Sequence, residues 1–124
     1  MAYTTINKST EHFNAVNYSG TGNTGLNITG VGFQPDLVWT KGRSGTYGVS
    51  NHKLVDAVRG AGNTLHANLT DNQYDQTGSS GSTIGFGSDG FTLGTNSNSN
   101  NSSTEYVSWN WKANGAGSSN TDGS

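Results

Sequence analysis

Between residues 83 and 94 apolar side chains alternate with small or polar ones around a turn-forming pair. In the run Thr83-Ile84-Gly85-Phe86-Gly87-Ser88-Asp89-Gly90-Phe91-Thr92-Leu93-Gly94, Asp89-Gly90 is a dipeptide that accepts the positive φ angles of a two-residue type I′ hairpin turn. A turn placed there pairs Ser88 with Phe91 and Phe86 with Leu93. Successive side chains of a strand point to opposite faces, so Ile84, Phe86, Phe91 and Leu93 share one face, and Gly85, Gly87, Thr92 and Gly94 the other. One apolar face and one small, polar face describe an antiparallel sheet covered from one side. The same period recurs near the end of the chain, where Val107, Trp109 and Trp111 alternate with Tyr106, Ser108, Asn110 and Lys112. By burial preference the pattern predicts a core of Phe86, Phe91, Leu93, Val107, Trp109 and Trp111.

Nowhere does helical spacing of apolar residues persist beyond a turn or two. Short strands are predicted over 13–18, 26–29, 37–41, 53–58, 64–69, 83–87, 91–94 and 106–113, separated by turn-rich stretches at 19–25, 30–32, 42–48, 60–63 and 78–82. Pro35 stands just before a strand, where its missing N–H breaks no ladder. The expected fold is all-β, an antiparallel β-sandwich of the jelly-roll kind. The polar run 95–104 reads as a long exposed loop. Residues 114–124 contain no large apolar side chain and read as a linker or tail. The expected organisation is thus one module over 1–113, with a short leader at 1–12 and a tail at 114–124.

Composition narrows the class. The chain has 124 residues, of which 29% are hydrophobic and only 11% charged, and its net charge is -2. Gly, Asn, Ser and Thr make up roughly half of it, well above ordinary usage. Low hydrophobicity with low charge and 10% aromatics fits short strands and many turns better than disorder. Six Lys plus Arg leave no electrostatic footprint for nucleic acid. No apolar run reaches membrane-spanning length, and the first residues lack the apolar core of a signal peptide. The absence of cysteine removes disulfides and thiolate metal sites together.

Four segments in order carry a resemblance: Gly32-Phe33-Gln34-Pro35-Asp36-Leu37-Val38-Trp39-Thr40-Lys41, Asp56-Ala57-Val58-Arg59-Gly60-Ala61-Gly62-Asn63, Ser88-Asp89-Gly90-Phe91-Thr92-Leu93-Gly94 and Tyr106-Val107-Ser108-Trp109-Asn110-Trp111-Lys112-Ala113. Together they resemble a module of tail-fibre and other virion-appendage proteins of marine and cyanobacterial phages. The resemblance implies a concanavalin A-like, SPRY-related β-sandwich at the N-terminal end of something longer, assembled in the bacterial cytoplasm and exposed outside the cell on the virion. It transfers no catalytic or binding residue.

Candidate sites are therefore read from the residues. Trp39, Tyr47 and Asn51 form the candidate ligand-binding set, because aromatic planes stack on sugar C–H faces and amides bond hydroxyls. Tyr47, in a Gly-flanked loop, is the best placed for the surface. Structural roles are expected for Trp109 and Trp111 in the core, for Asp89-Gly90 in the turn, and for Asp56 with Arg59 as an ion pair fixing a chain reversal. Asp71, Asp75 and Asp89 have oxygen ligands suited to calcium, yet isolated Asp residues in turns bond their own backbone. His12, His52 and His66 lack zinc spacing. No cofactor or metal is expected, and no catalytic residue.

The leading expectation is a non-enzymatic structural module of a virion appendage, supporting assembly and host attachment. Its partners would be itself, as a homo-oligomer with a trimer favoured, and other virion proteins. The alternatives are a carbohydrate-binding module for cell-surface glycans, and a capsid-decoration or head-fibre protein. A glycan-cleaving enzyme needs two acids held ~5–9.5 Å apart, and the few acidic residues here are scattered in turns.

Overall fold

The computed structural model describes residues 8–113. After a single 3-10 turn at Ser9–Glu11 come nine strands and one short helix: β1 (Phe13–Ser19), β2 (Leu26–Ile28), β3 (Leu37–Gly45), β4 (Lys53–Asp56), β5 (Asn63–His66), β6 (Tyr74–Asp75), β7 (Thr83–Gly87), β8 (Gly90–Leu93), α1 (Ser97–Asn100) and β9 (Thr104–Trp111). All pairings are antiparallel. A six-stranded sheet runs β1-β9-β3-β4-β5-β6, and a three-stranded sheet runs β2-β8-β7. The predicted all-β sandwich is the fold observed. The expected domain limits at 1–12 and 114–124 fall largely or wholly outside the described residues.

The small sheet supplies most of the hydrophobic cluster in the interior. Ile28, Phe91 and Leu93 pack with Val38 of the large sheet, and Val16, Tyr18, Leu26 and Phe86 close around them. Phe91 and Leu93 are buried as the alternation predicts, and Phe86 is half-buried beside them.

The hairpin between β7 and β8 turns one residue earlier than predicted. Gly87 pairs with Gly90 and Phe86 with Phe91, so Ser88-Asp89 forms the turn. Tertiary contacts claim Asp89 and Gly90 for other work. The Asp89 carboxylate accepts from the N–H groups of Gly30 and Gly32 at 3.0 and 2.6 Å, and its carbonyl accepts from Val31 N–H at 3.2 Å. Gly90 lies against the backbone of Ile28, where a Cβ would collide with the Ile28 carbonyl oxygen.

The larger correction concerns β9. Thr104, Tyr106, Ser108 and Asn110 face the interior and are buried, whereas Val107, Trp109 and Trp111 stand on the opposite, part-exposed face. Period two is present as read, but with the faces exchanged. Part of this polar interior face is hydrogen-bonded to the backbone carbonyls of β1. Ser108 Oγ donates to Val16 O at 3.4 Å, and Asn110 Nδ2 donates to Asn14 O at 3.1 Å. Thr40, Lys53 and Thr64 are buried on the same layer.

The run 95–104 is likewise not a free loop. It contains α1, and Ser99 and Asn100 are fully buried. Asn100 Oδ1 accepts from Thr21 N–H at 2.7 Å and Gly22 N–H at 3.3 Å, while its Nδ2 donates to Asn23 O and Gly94 O, each at 2.7 Å. One amide thus satisfies four backbone groups from two other loops.

Candidate functional site

Cross-strand register builds the outer face of the large sheet row by row, since paired residues share a face. One row runs Phe13, Trp111, Leu37. The next runs Ala15, Trp109, Trp39, Leu54, Leu65. A third runs Asn17, Val107, Lys41. Phe13 and Leu65 are 38% and 36% exposed, and the three tryptophans are part-exposed. An apolar band therefore crosses five strands on the side that the small sheet does not cover.

Its centre is aromatic. Trp39 meets Trp109 edge-on, with ring centroids 5.5 Å apart and planes at 63°, and lies nearly parallel to Trp111 at 6.5 Å and 26°. Phe13 leans on Trp111 at 5.1 Å. The three indoles line a shallow recess of about 230 Å³.

Polar groups gather at one side of this recess. Trp39 Nε1–H donates to His52 Nδ1 at 2.9 Å. In the neutral ring the proton must then sit on Nε2. Burial first, and then the charge of Lys41, hold the His52 pKa below its ordinary value of 6.5. His52 N–H donates to Asn68 Oδ1 at 3.0 Å, and Asn68 Nδ2 donates to Asn51 Oδ1 at 3.0 Å. Of the candidate ligand set, Trp39 and Asn51 therefore stand at one site. Tyr47 does not join them. It sits in the turn that follows β3 and folds back so that its carbonyl lies against Gly42, with its N–H donating to Thr104 Oγ1 at 3.0 Å.

Asp56 and Arg59 form the expected reversal. Arg59 Nε donates to Asp56 Oδ2 at 2.6 Å, and Arg59 N–H to Asp56 Oδ1 at 2.8 Å. The three candidate calcium ligands are dispersed. Asp71 serves His66, Asp75 accepts from Thr77 N–H, and Asp89 clamps the Gly30-Val31-Gly32 loop. Among the described residues no group of three or more His, Cys, Asp or Glu is placed to hold a metal ion.

One titratable chain escapes sequence reasoning, because its members are far apart and follow no motif. Lys53 Nζ donates to Tyr74 OH and lies 2.8 Å from His66 Nε2, and His66 Nδ1 meets Asp71 Oδ2 at 2.8 Å. Burial draws the Lys53 pKa down from 10.5 to about 8, with Asp71 pulling the other way. Lys53 is only 2% exposed. The cluster links β4, β5 and β6 from inside and offers no open amine. Signals for the tryptophan face were present in the sequence, but only neighbouring strands reveal which way it points.

Among the described residues no helix is long and apolar enough to cross a membrane. No curated protein and no solved structure matches the chain. A family model does match, over residues 8–124, and the chain belongs to that family, the domain of unknown function DUF7483.

Proposed function

We propose that this module is a non-enzymatic structural and attachment unit of a phage virion appendage, with the outer face of the large sheet as its working surface. The observation that carries the reading is the aromatic band itself. A sheet face of Trp39, Trp109 and Trp111 flanked by Phe13, Leu37 and Leu54 has apolar area that a module without a partner would gain by covering. The ordered resemblance of four segments supplies the virion setting, and low charge permits close packing of like subunits, a trimer being the first choice. The burial of Lys53 within its own hydrogen-bonded cluster also favours a structural role over chemistry for the polar groups present. Immunogold labelling of virions with antibody against the module tests the assignment. Gold on a tail or head appendage is the expected result. Antigen confined to the soluble fraction of the lysate would overturn it.

A further inference from the structure

The recess over Trp39, Trp109 and Trp111 has properties that select among occupants. Its walls are the three indoles alone. At about 230 Å³ it is smaller than the ~300–1,000 Å³ pockets that enclose drug-sized ligands, so it suits one ring of a longer ligand laid across the face. Lys41 and Arg59 already hold partners within the protein. Lys41 Nζ donates to Gly42 O and Gly48 O at 2.9 and 2.6 Å, and Arg59 is closed on Asp56 at 2.6 Å. A phosphate, sulfate or carboxylate would have to draw the Lys41 ammonium off these carbonyls or open the Arg59–Asp56 pair. At its edge the imidazole of His52 bonds Trp39, and the amides of Asn68 and Asn51 follow through the His52 main-chain N–H.

We infer that the recess binds a neutral pyranose unit of a surface glycan, stacked on the indoles with its hydroxyls toward His52, Asn51 and Asn68. The inference rests on the attachment reading above and names its ligand class. Sugar ring C–H bonds carry a small positive charge, and the indole face is the negative pole of its quadrupole, so the two attract while apolar area is covered. The Trp39 Nε1–H bond to Nδ1 fixes His52 with a proton on Nε2, available to donate to a hydroxyl oxygen. A neutral sugar matches the apolar indoles with its ring and the hydrogen-bonding groups beside them with its hydroxyls.

The test is a titration of the full chain with neutral oligosaccharides of hexoses, pentoses and N-acetylhexosamines, α- and β-linked, beside an acidic polysaccharide, followed by indole fluorescence and calorimetry. At least one neutral oligosaccharide should shift the emission and release heat. Trp109→Ala should weaken that binding by about tenfold or more, which is ~1.4 kcal/mol. Trp109→Phe should keep most of it, because a ring face remains, and melting curves show that both variants are folded. Silence across the neutral panel, binding of the acidic polymer only, or unchanged affinity in Trp109→Ala would each overturn the inference. So would a dimer that Trp109→Ala dissociates, since a second copy would then be the occupant. The two readings fail separately. Gold-labelled virions without sugar binding remove the glycan alone, and sugar binding by a protein absent from virions removes the appendage alone.

Discussion

The rings of Tyr18 and Tyr106 stack across the β1–β9 pair, 5.2 Å between centroids and 13° between planes. Both hydroxyls reach the segment around α1: Tyr18 OH donates to Ser99 O at 2.9 Å, and Tyr106 OH donates to Ser97 O at 2.7 Å while accepting from Asn101 N–H at 2.9 Å. The pair decides which face of β9 is interior. It also ties the polar run 95–104 to the sandwich, so a segment with almost no apolar side chains is held by tyrosine hydroxyls.

Substitutions on the two faces of β9 should therefore differ in the order opposite to residue size. Tyr106→Ala removes a fully buried ring and two hydrogen bonds, and should cost ~3–5 kcal/mol. Tyr106→Phe keeps the ring and should cost ~1–3 kcal/mol for the unpaired Ser97 carbonyl and Asn101 N–H. Trp109→Ala, from the part-exposed face, should cost less than Tyr106→Ala despite the larger side chain. Denaturant unfolding of the three variants checks the order, and Trp109→Ala as the most damaging would place it in the core after all.

The alternation in 83–94 and 106–113 was enough to reveal strands, an all-β sandwich, and the burial of Phe91 and Leu93. It was not enough to choose the inner face of β9. Hydrophobicity points Trp109 and Trp111 inward, but β9 lies between β1 and β3, whose inward residues Tyr18 and Val38 are committed to the small sheet. Ser108 and Asn110 become good interior residues only because the β1 carbonyls of Val16 and Asn14 lie within reach. The Asp89-Gly90 turn was displaced for the same kind of reason: residues 28–32, distant in sequence, compete for both its members. Trp39 and Asn51 were visible as site candidates, whereas His52, the group joining them, had no pattern to announce it.

Asn100 should be among the residues least tolerant of change in the polar run. Replacing it with Leu removes the partner of the Thr21 N–H and of the Asn23 carbonyl, both part-buried, and of the buried Gly94 carbonyl, whereas Gly22 N–H keeps its 2.8 Å bond to the Asn100 main-chain oxygen. At ~1–3 kcal/mol for each unsatisfied group, the loss should reach several kcal/mol. Ser102→Ala, two residues away and exposed, should change stability by about 0.5 kcal/mol at most. Thermal melts of both variants check the contrast, and equal effects would show that α1 is not anchored through this amide.

Lys53 should give the domain a stability that rises with alkaline pH. Its pKa is about 8 when folded and 10.5 when exposed, so across that interval the unfolded chain binds more protons. The penalty of the buried charge is complete below the folded value and fades as pH climbs through it. Tyr74, raised by burial and then by Asp71, works the other way above its ordinary value of 10.0. The rise should accordingly appear between about pH 7 and 9.5 in melting temperature, and Lys53→Met should flatten it. A flat wild-type curve would mean that the Lys53 ammonium is adequately solvated by His66, Tyr74 and Asp71.

His52 and Trp39 should titrate as one unit, with the same sign as Lys53 but in the acid range. The folded imidazole is held below 6.5 by burial and Lys41, so the unfolded chain binds more protons just below that value, and stability falls as pH drops through the folded pKa. Protonation also turns Nδ1 from acceptor to donor and must break its 2.9 Å bond from Trp39 Nε1–H. Indole emission should therefore change only in acid, below the ordinary imidazole range, and His52→Gln should abolish the step. Trp39→Phe supplies the converse. Without the indole donor the neutral ring loses a hydrogen bond that favours it, so the His52 pKa should move up toward 6.5. Resonances of the His52 ring followed by NMR across pH 4–8 read both effects. A His52 pKa that stays put in Trp39→Phe would show that the indole bond does not set the protonation state, and that the Nε2 proton at the rim of the recess owes nothing to Trp39.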